Sequence, residues 1–233
     1  MRQPRLLIPA GPTHEPIDAV RFLGNRSSGR LGVALADEAA RRGWSVTLLL
    51  GPTPLRPSEN GIELVKYRSC ADLEARLGEQ LHQHEILVMA AAVSDYRPVA
   101  GQADPFGKRR RDADRMTIEF ERTPDLLAGC SARRKPGQML VGFALEPRSR
   151  MLESAREKLE RKGIDLIVAN PLETMESETI DATLLATGED EPIATTGCGI
   201  DKPAFAAWLL DRIEEAREAN ARKGGARRDA ATA

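Results

Sequence analysis

The sequence predicts an α/β fold built on a doubly wound, mostly parallel sheet. Five short apolar runs recur along the chain, at residues 5–10, 45–50, 85–93, 138–144 and 165–169. Most are continuously apolar rather than alternating, which marks strands covered on both faces. Between them lie stretches with apolar residues at helical spacing, and strand–helix alternation of this kind feeds a parallel sheet.

Taken in order, Arg-Leu-Leu-Ile-Pro-Ala at 5–10 ends at Gly11-Pro12 and reads as a buried first strand. A long loop, 11–28, follows. Residues 29–42 carry Leu31, Val33, Ala34, Ala36, Ala39 and Ala40 at helical spacing, and Gly43 closes that helix. The second strand, 45–50, completes a right-handed βαβ unit. The Pro-rich stretch 51–61 is loop and 62–67 a short strand. Ser69 caps a helix running to about His82. Residues 85–93 give the strongest strand signal and predict the central strand. The segment 95–115 holds Gly, Pro and the basic run Lys108-Arg109-Arg110-Arg111, and 116–120 alternates as a short strand. Thr123 is expected to cap a helix with Pro124 at its first position. A strand at 138–144 leads to an amphipathic helix at 150–162, with Met151, Leu152, Ala155 and Leu159 on one stripe. A strand at 165–169, a hairpin of 181–186 with 192–195 across Gly188, and a helix at 202–221 complete the pattern. Residues 222–233 are rich in Gly, Arg and Ala without an apolar period and predict a frayed tail. The expected organisation is one domain over 1–221 and a flexible tail over 222–233.

The 233 residues suffice for a full hydrophobic core. A net charge of −1 gives no global attraction to nucleic acid or membrane. The basic run 108–111 has no aromatic partners, so nucleic-acid binding is not expected. No run is long enough to span a bilayer and no secretory segment is recognisable, so a cytoplasmic location is expected by elimination. Cys70, Cys130 and Cys198 are odd in number and lack C-x-x-C spacing, and three scattered histidines make no metal cluster.

The first loop is the segment richest in chemistry. A dinucleotide-binding turn would place G-x-G-x-x-G directly between strand and helix. Here Asn25-Arg26-Ser27-Ser28-Gly29 stands at the helix N-terminus after a long insertion, where small residues and the helix dipole suit either an anion or simple capping. Asp95 follows the strongest strand, the place where open α/β sheets hold ligands.

Ala-Gly-Pro-Thr-x-Glu-Pro-Ile-Asp-x-Val-Arg at 10–21 and Asn-x-Ser-Ser-Gly-x-x-Gly at 25–32 resemble the phosphopantothenate–cysteine ligase family, which is Rossmann-like with a small β-extension used in dimerisation. Four further blocks resemble it in the same order: Ala90-Ala-Ala-Val-Ser-Asp95-Tyr96, Thr123-Pro-Asp-Leu-Leu-Ala-Gly129, Val141-Gly-Phe143-Ala-Leu-Glu146 and Lys162-Gly-Ile-Asp-Leu-Ile-Val-Ala-Asn170. The basic segment at Lys108 adds to them.

The resemblance implies a two-step reaction. The carboxylate of 4′-phosphopantothenate attacks the α-phosphate of CTP, or of ATP in eukaryotic members, giving an acyl nucleotide and pyrophosphate. The amine of L-cysteine then displaces CMP. Mg²⁺ is the implied cofactor, and bacterial-looking blocks favour CTP. Asn25 matches the asparagine that contacts the acyl intermediate, with Ser27, Ser28, Gly29 and Arg21 implied around the substrate. Ala90, Ala91, Ala92 and Asp95 match the wall that reads the base. Pro124, Asp125, Leu126 and Leu127 match a helix start that holds the triphosphate, with Phe143, Lys158 and Lys162 beside it. Lys108 matches a flap lysine that neutralises phosphate. Bacterial members often read Lys-Ile-Lys-Lys where this chain reads Lys-Arg-Arg-Arg, so the role is open between Lys108, Arg109 and Arg110, and arginine is not a plain substitute for lysine.

The chain starts at the ligase block, so no flavin and no decarboxylase activity are expected. Family members are homodimers, and 116–120 and 181–195 are the segments expected to reach the partner. Two rivals remain. One is a nicotinamide-dependent reductase, opposed by the missing G-x-G-x-x-G and by the lack of any Tyr-x-x-x-Lys pair. The other is a nucleotide-binding module with altered chemistry, favoured by the changed basic run.

Overall fold

The computed structural model describes residues 3–108, 114–174 and 177–230, with side chains to residue 222. The first βαβ unit consists of β1 (Arg5–Pro12), α1 (Arg30–Arg41) and β4 (Ser45–Leu50), with the small hairpin β2 (His14–Pro16) and β3 (Phe22–Gly24) inserted in the loop between β1 and α1. β5 (Glu63–Lys66) and α2 (Cys70–Gln80) follow. The strongest apolar run divides at Met89 into β6 (Ile86–Val88) and β7 (Ala90–Ala92). β8 (Tyr96–Pro98) pairs antiparallel with β9 (Phe120–Arg122), so the strand expected at 116–120 begins only at Phe120. α3 (Leu126–Arg133), β10 (Met139–Glu146), α4 (Met151–Lys162) and β11 (Leu166–Pro171) come next. The chain then forms β12 (Thr179–Ile180), β13 (Thr183–Ala186), β14 (Ala194–Thr195), β15 (Ile200–Asp201) and α5 (Lys202–Ala230).

The main sheet runs β14-β13-β11-β10-β6-β1-β4-β5, with β7 continuing beside β1. From β11 to β5 every neighbour is parallel, and β13 and β14 add an antiparallel edge. The hairpin expected over 181–195 is therefore part of this sheet. Alternate side chains face opposite sides. Leu6, Ile8, Leu48, Ile86, Val88, Val141 and Val168 pack with α1 and α5, where Phe205, Leu209 and Ile213 are fully buried. Leu7, Leu49, Leu87, Leu140 and Ile167 pack with α2, α3 and α4 on the other face. The sheet is doubly wound, as the apolar runs predicted.

Local chemistry fixes the ends. Gly43 takes φ 78° just past α1. Ser69 accepts from Asp72 N while the Asp72 carboxylate accepts from Ser69 N, a capping box for α2. Three expectations need correction. α3 is capped by Asp125, not Thr123, and Pro124 lies before the helix. The Thr123 hydroxyl is spent on the Ser94 carbonyl at 2.5 Å. On α4, Ala155 and Leu159 are buried but Leu152 is exposed, because it sits about 100° around the helix from Met151. α5 continues to Ala230, where the sequence predicted a frayed tail from residue 222. Residues 231–233 lie outside the described residues.

Candidate functional site

A cavity of about 970 Å³ opens at the carboxyl ends of β7, β10 and β11. This is the edge at which open α/β sheets hold ligands. Its walls come from 24–32, 89–93, Asp95, 123–127, Phe143, Leu145, Lys158, Arg161, Lys162, Asn170 and Lys202, among others. A second depression of about 950 Å³ lies at the opposite end, at the amino ends of β10 and β11. Its Arg134 is paired with Asp165 at 2.7 Å, and none of the family-matched site residues lines it. The chemistry is therefore assigned to the first cavity.

The loop before α1 forms one wall. Gly29 is the N-cap residue with φ 77°, the Arg30 amide donates to Ser28 Oγ at 3.4 Å, and residues 30–32 of α1 line the cavity. Gly32 lets that helix press on β1: a Cβ there would stand 2.2 Å from Ala10 Cβ. Asn25 is exposed and donates from Nδ2 to the Val93 carbonyl at 3.0 Å, which ties the loop to the segment after β7. Ser27 and Ser28 lie beside it.

The opposite wall begins with β7. Ala90, Ala91 and Ala92 present small side chains, and Asp95 sits just beyond them. Thr13 positions this turn from beneath. Its amide donates to Ala92 O at 3.2 Å and its buried hydroxyl accepts from Ser94 N at 2.9 Å. Asp95 O accepts from Thr123 N at 3.0 Å, joining the turn to the start of α3. Asp125 Oδ1 accepts from Ala128 N at 3.1 Å, and both its oxygens take the Lys162 ammonium at 2.7 Å. Burial would raise the Asp125 carboxyl, but the Lys162 hydrogen bond, the Ala128 amide and the charges of Lys162 and Arg161 hold it below the usual carboxylate value. Lys158 is similarly tied to Glu146, whose carboxyl that lysine lowers despite partial burial. Phe143 lines the floor and leans against Phe205, ring centroids 6.5 Å apart.

The structure thus brings together Asn25, Ser27, Ser28, Gly29, Ala90, Ala91, Ala92, Asp95, Pro124, Asp125, Leu126, Leu127, Phe143, Lys158 and Lys162. Arg21 and Lys108 are not on the wall. The Arg21 Nε donates to buried Asp18 at 2.9 Å, and Asp18 also accepts from the Val20 and Arg21 amides. Lys108 is exposed and follows Gly107, whose carbonyl accepts from Ala19 N at 2.9 Å. The alternatives Arg109 and Arg110 lie outside the described residues. Four cations on the wall were not anticipated: Arg26, Arg30, Arg161 and Lys202. Each stands in a loop or a helix end where sequence shows only a solvated charge.

Among the described residues no group of three or more His, Cys, Asp or Glu is placed to hold a metal ion. Among them, too, no helix is long and apolar enough to cross a membrane.

A parallel sheet wound on both faces, with a cation-lined cavity at its carboxyl edge, defines an α/β ligand-binding domain of the Rossmann-like type. Residues 1–216 match the family described as DNA/pantothenate metabolism flavoprotein C-terminal domain, and the chain belongs to that family. It is 44% identical over 168 residues to a cysteine/cysteine sulfinic acid decarboxylase from an unknown prokaryotic organism, covering 72% of this chain and 46% of that protein. It is 39% identical over 165 residues to the coenzyme A biosynthesis bifunctional protein CoaBC of Escherichia coli K12, covering 71% of this chain and 40% of the relative. Among solved structures, the C-terminal domain of a CoaBC protein superposes with a TM-score of 0.76 at 32% identity, covering 94% of this chain and 97% of that one. The chain spans about half the length, or less, of these curated relatives.

Proposed function

We propose that the chain is the ligase part of coenzyme A biosynthesis, joining 4′-phosphopantothenate to L-cysteine through an acyl-cytidylate. One observation carries this reading: a single cavity gathers Asn25, the Ala90–Ala92 wall with Asp95, the start of α3, Phe143, Lys158 and Lys162. The reading is further supported by relatives that serve coenzyme A biosynthesis.

Asp95 accepts from the exocyclic amine of cytosine, and Ala90, Ala91 and Ala92 let the base approach the backbone. The Leu126 and Leu127 amides at the start of α3 meet the triphosphate, with Lys158 and Lys162 offsetting its charge. Those lysines now hold Glu146 and Asp125, so nucleotide binding exchanges carboxylate partners for phosphate. The substrate carboxylate oxygen attacks the α-phosphorus in line, and the bond to the pyrophosphate oxygen breaks. Asn25, neutral and able both to donate and accept, holds the acyl oxygen without adding charge. The cysteine amine then attacks the acyl carbon, loses a proton, and CMP leaves with the bond electrons. The two carboxylates on the wall, Asp95 and Asp125, are engaged with base and helix. A donor set this small fits Mg²⁺ held chiefly by the nucleotide's own phosphates, where it would offset charge on the transferring group. A homodimer is supported by exposed Phe22, Leu23, Tyr96, Met116 and Phe120 on and beside the β2–β3 and β8–β9 hairpins.

A second reading, a nucleotide-binding module without turnover, is favoured by the position of Lys108 off the cavity wall. Pyrophosphate release with Mg²⁺, CTP and 4′-phosphopantothenate, with and without cysteine, separates the two. Release that needs both ligands, with the amide formed when cysteine is present, supports the ligase. Binding of CTP without release by folded protein supports the module, and ATP in place of CTP tests the base.

A further inference from the structure

The cavity has two cationic poles, and they lie on opposite faces of the sheet. Lys158, Arg161 and Lys162 come from α4, which packs with α3 on one face. Arg30 and Lys202 are the first residues of α1 and α5, which pack together on the other. The first pole is partly neutralised, since Glu146 holds Lys158 and Asp125 holds Lys162. In the second, among the described residues, neither Arg30 nor Lys202 has an ion-pair partner within 4 Å, and Glu178 acts on Lys202 only from a distance. Asp201 is engaged by the Ala204 amide at 2.7 Å. Partial burial and the nearby Arg30 charge lower the Lys202 ammonium, against a smaller opposing pull from Glu178. Arg30 is exposed and Lys202 half-buried, so both charged heads on this wall are open to an anion entering the cavity. The neighbouring wall residues Asn170, Thr174 and Ile180 supply no charge.

We propose that Arg30 and Lys202 form a second phosphate subsite, separate from the α3–α4 cations, which takes one phosphate group of a bound ligand. The subsite rests on the ligase reading only for the identity of that ligand. Under that reading two molecules bring phosphate into the cavity: the nucleotide, and the phosphomonoester of 4′-phosphopantothenate. Because the poles lie on opposite faces, ligands that fill both cross the carboxyl edge of the sheet, over Ala90–Ala92 and Phe143.

The test uses Lys202→Met and Arg30→Gln, with Lys202→Arg as the conservative control, and melting curves to verify folding. Calorimetry compares CTP with cytidine, and 4′-phosphopantothenate with pantothenate. Each neutral variant is expected to weaken one phosphorylated ligand by about tenfold, the value of one charge-assisted hydrogen bond. The dephosphorylated counterpart should be unaffected, and Lys202→Arg should recover most of the loss. A loss confined to CTP assigns the subsite to the nucleotide; a loss confined to 4′-phosphopantothenate assigns it to the substrate. Binding of both within about twofold of wild type overturns the proposal. If wild type binds neither ligand, the ligase reading fails instead. The subsite is then judged with inorganic phosphate alone: a phosphate-induced rise in melting temperature should be reduced in Lys202→Met, and an undiminished or absent rise overturns it.

Discussion

Replacing Asp125 by asparagine should weaken the fold and strengthen nucleotide binding at the same time. Asp125 caps α3 through the Ala128 amide and grips Lys162 with both oxygens at 2.7 Å. Asparagine is as good a cap as aspartate, so the Ala128 bond survives and only the charge is lost. The pair is partly open to solvent, with side-chain exposures of 20% for Lys162 and 42% for Asp125, so screening limits its value to about 0.5–1 kcal/mol. Urea denaturation at pH 7 should show a loss of that order. CTP, however, no longer competes with a carboxylate for Lys162, and the same energy returns as about two- to fivefold tighter binding. The pH dependence has a fixed sign. The native structure holds the Asp125 carboxyl below its ordinary value. Its contribution is therefore complete above about pH 4 and is lost as pH falls through the depressed value. The stability gap between wild type and the Asp125→Asn variant should close below about pH 4. Calorimetry with CTP and denaturation at pH 7 and pH 3 decide the matter. Weaker CTP binding in Asp125→Asn would refute the view that Asp125 competes with phosphate for Lys162.

Three further outcomes follow from the packing around the cavity. Gly32→Ala forces a Cβ to 2.2 Å from Ala10 Cβ, so α1 must shift off β1; the overpacking of about 1–3 kcal/mol outweighs the roughly 1 kcal/mol gained in helix propensity, and an unchanged or higher denaturation midpoint would show that the helix yields freely. Tyr67→Phe removes a buried hydroxyl that reaches the Ala10 and Gly11 carbonyls at 2.8 and 3.1 Å; a loss of about 1–2 kcal/mol is expected in urea denaturation, and no loss would mean those carbonyls find other donors. Asn25→Ala should leave the melting temperature nearly unchanged, because the residue is exposed, while pyrophosphate release falls about hundredfold; near-normal turnover would remove Asn25 from the reacting centre.

The parallel core was legible because strands covered on both faces must be apolar throughout. That rule places β1, β4, β6, β10 and β11 and leaves little room for other partners. The two-stranded pieces were not legible. β2 and β3 are three residues each, with Pro16 inside one, and β12 and β15 are two residues each, too short for any period to show. The start of α3 was ambiguous for a different reason. Thr123 and Asp125 are both capping residues, and only the demand of the Ser94 carbonyl on Thr123 leaves the cap to Asp125. Most of the cavity residues were reached through ordered family blocks rather than through periodicity. Arg26, Arg30, Arg161 and Lys202 escaped both approaches, since a charge at a helix end looks solvated until the sheet brings three other elements beside it.

The acidic residues of the first loop explain why the cavity is so rich in cations. Glu15 and Asp18 belong to its most distinctive block, yet neither lines the cavity. Glu15 is buried and accepts from the Cys70 amide at 2.8 Å, stabilising the start of α2. Asp18 is buried and organises the 18–21 turn with Arg21, and the amide of the next residue, Ala19, donates to Gly107 O in the segment leading to Lys108. These carboxylates act as scaffold. The wall is left with Arg26, Arg30, Lys158, Arg161, Lys162 and Lys202 facing only Asp95 and Asp125. A cavity of that sign keeps its order by tying two lysines to carboxylates, Glu146 and Asp125. Under the proposed ligase function, an incoming polyphosphate would replace both ties at once. Nucleotide affinity should therefore fall with salt more steeply than a neutral nucleoside's, because the gain is a sum of several screened charge contacts rather than one buried pair. Equal salt dependence for CTP and cytidine would mean that the cations do not face the phosphates.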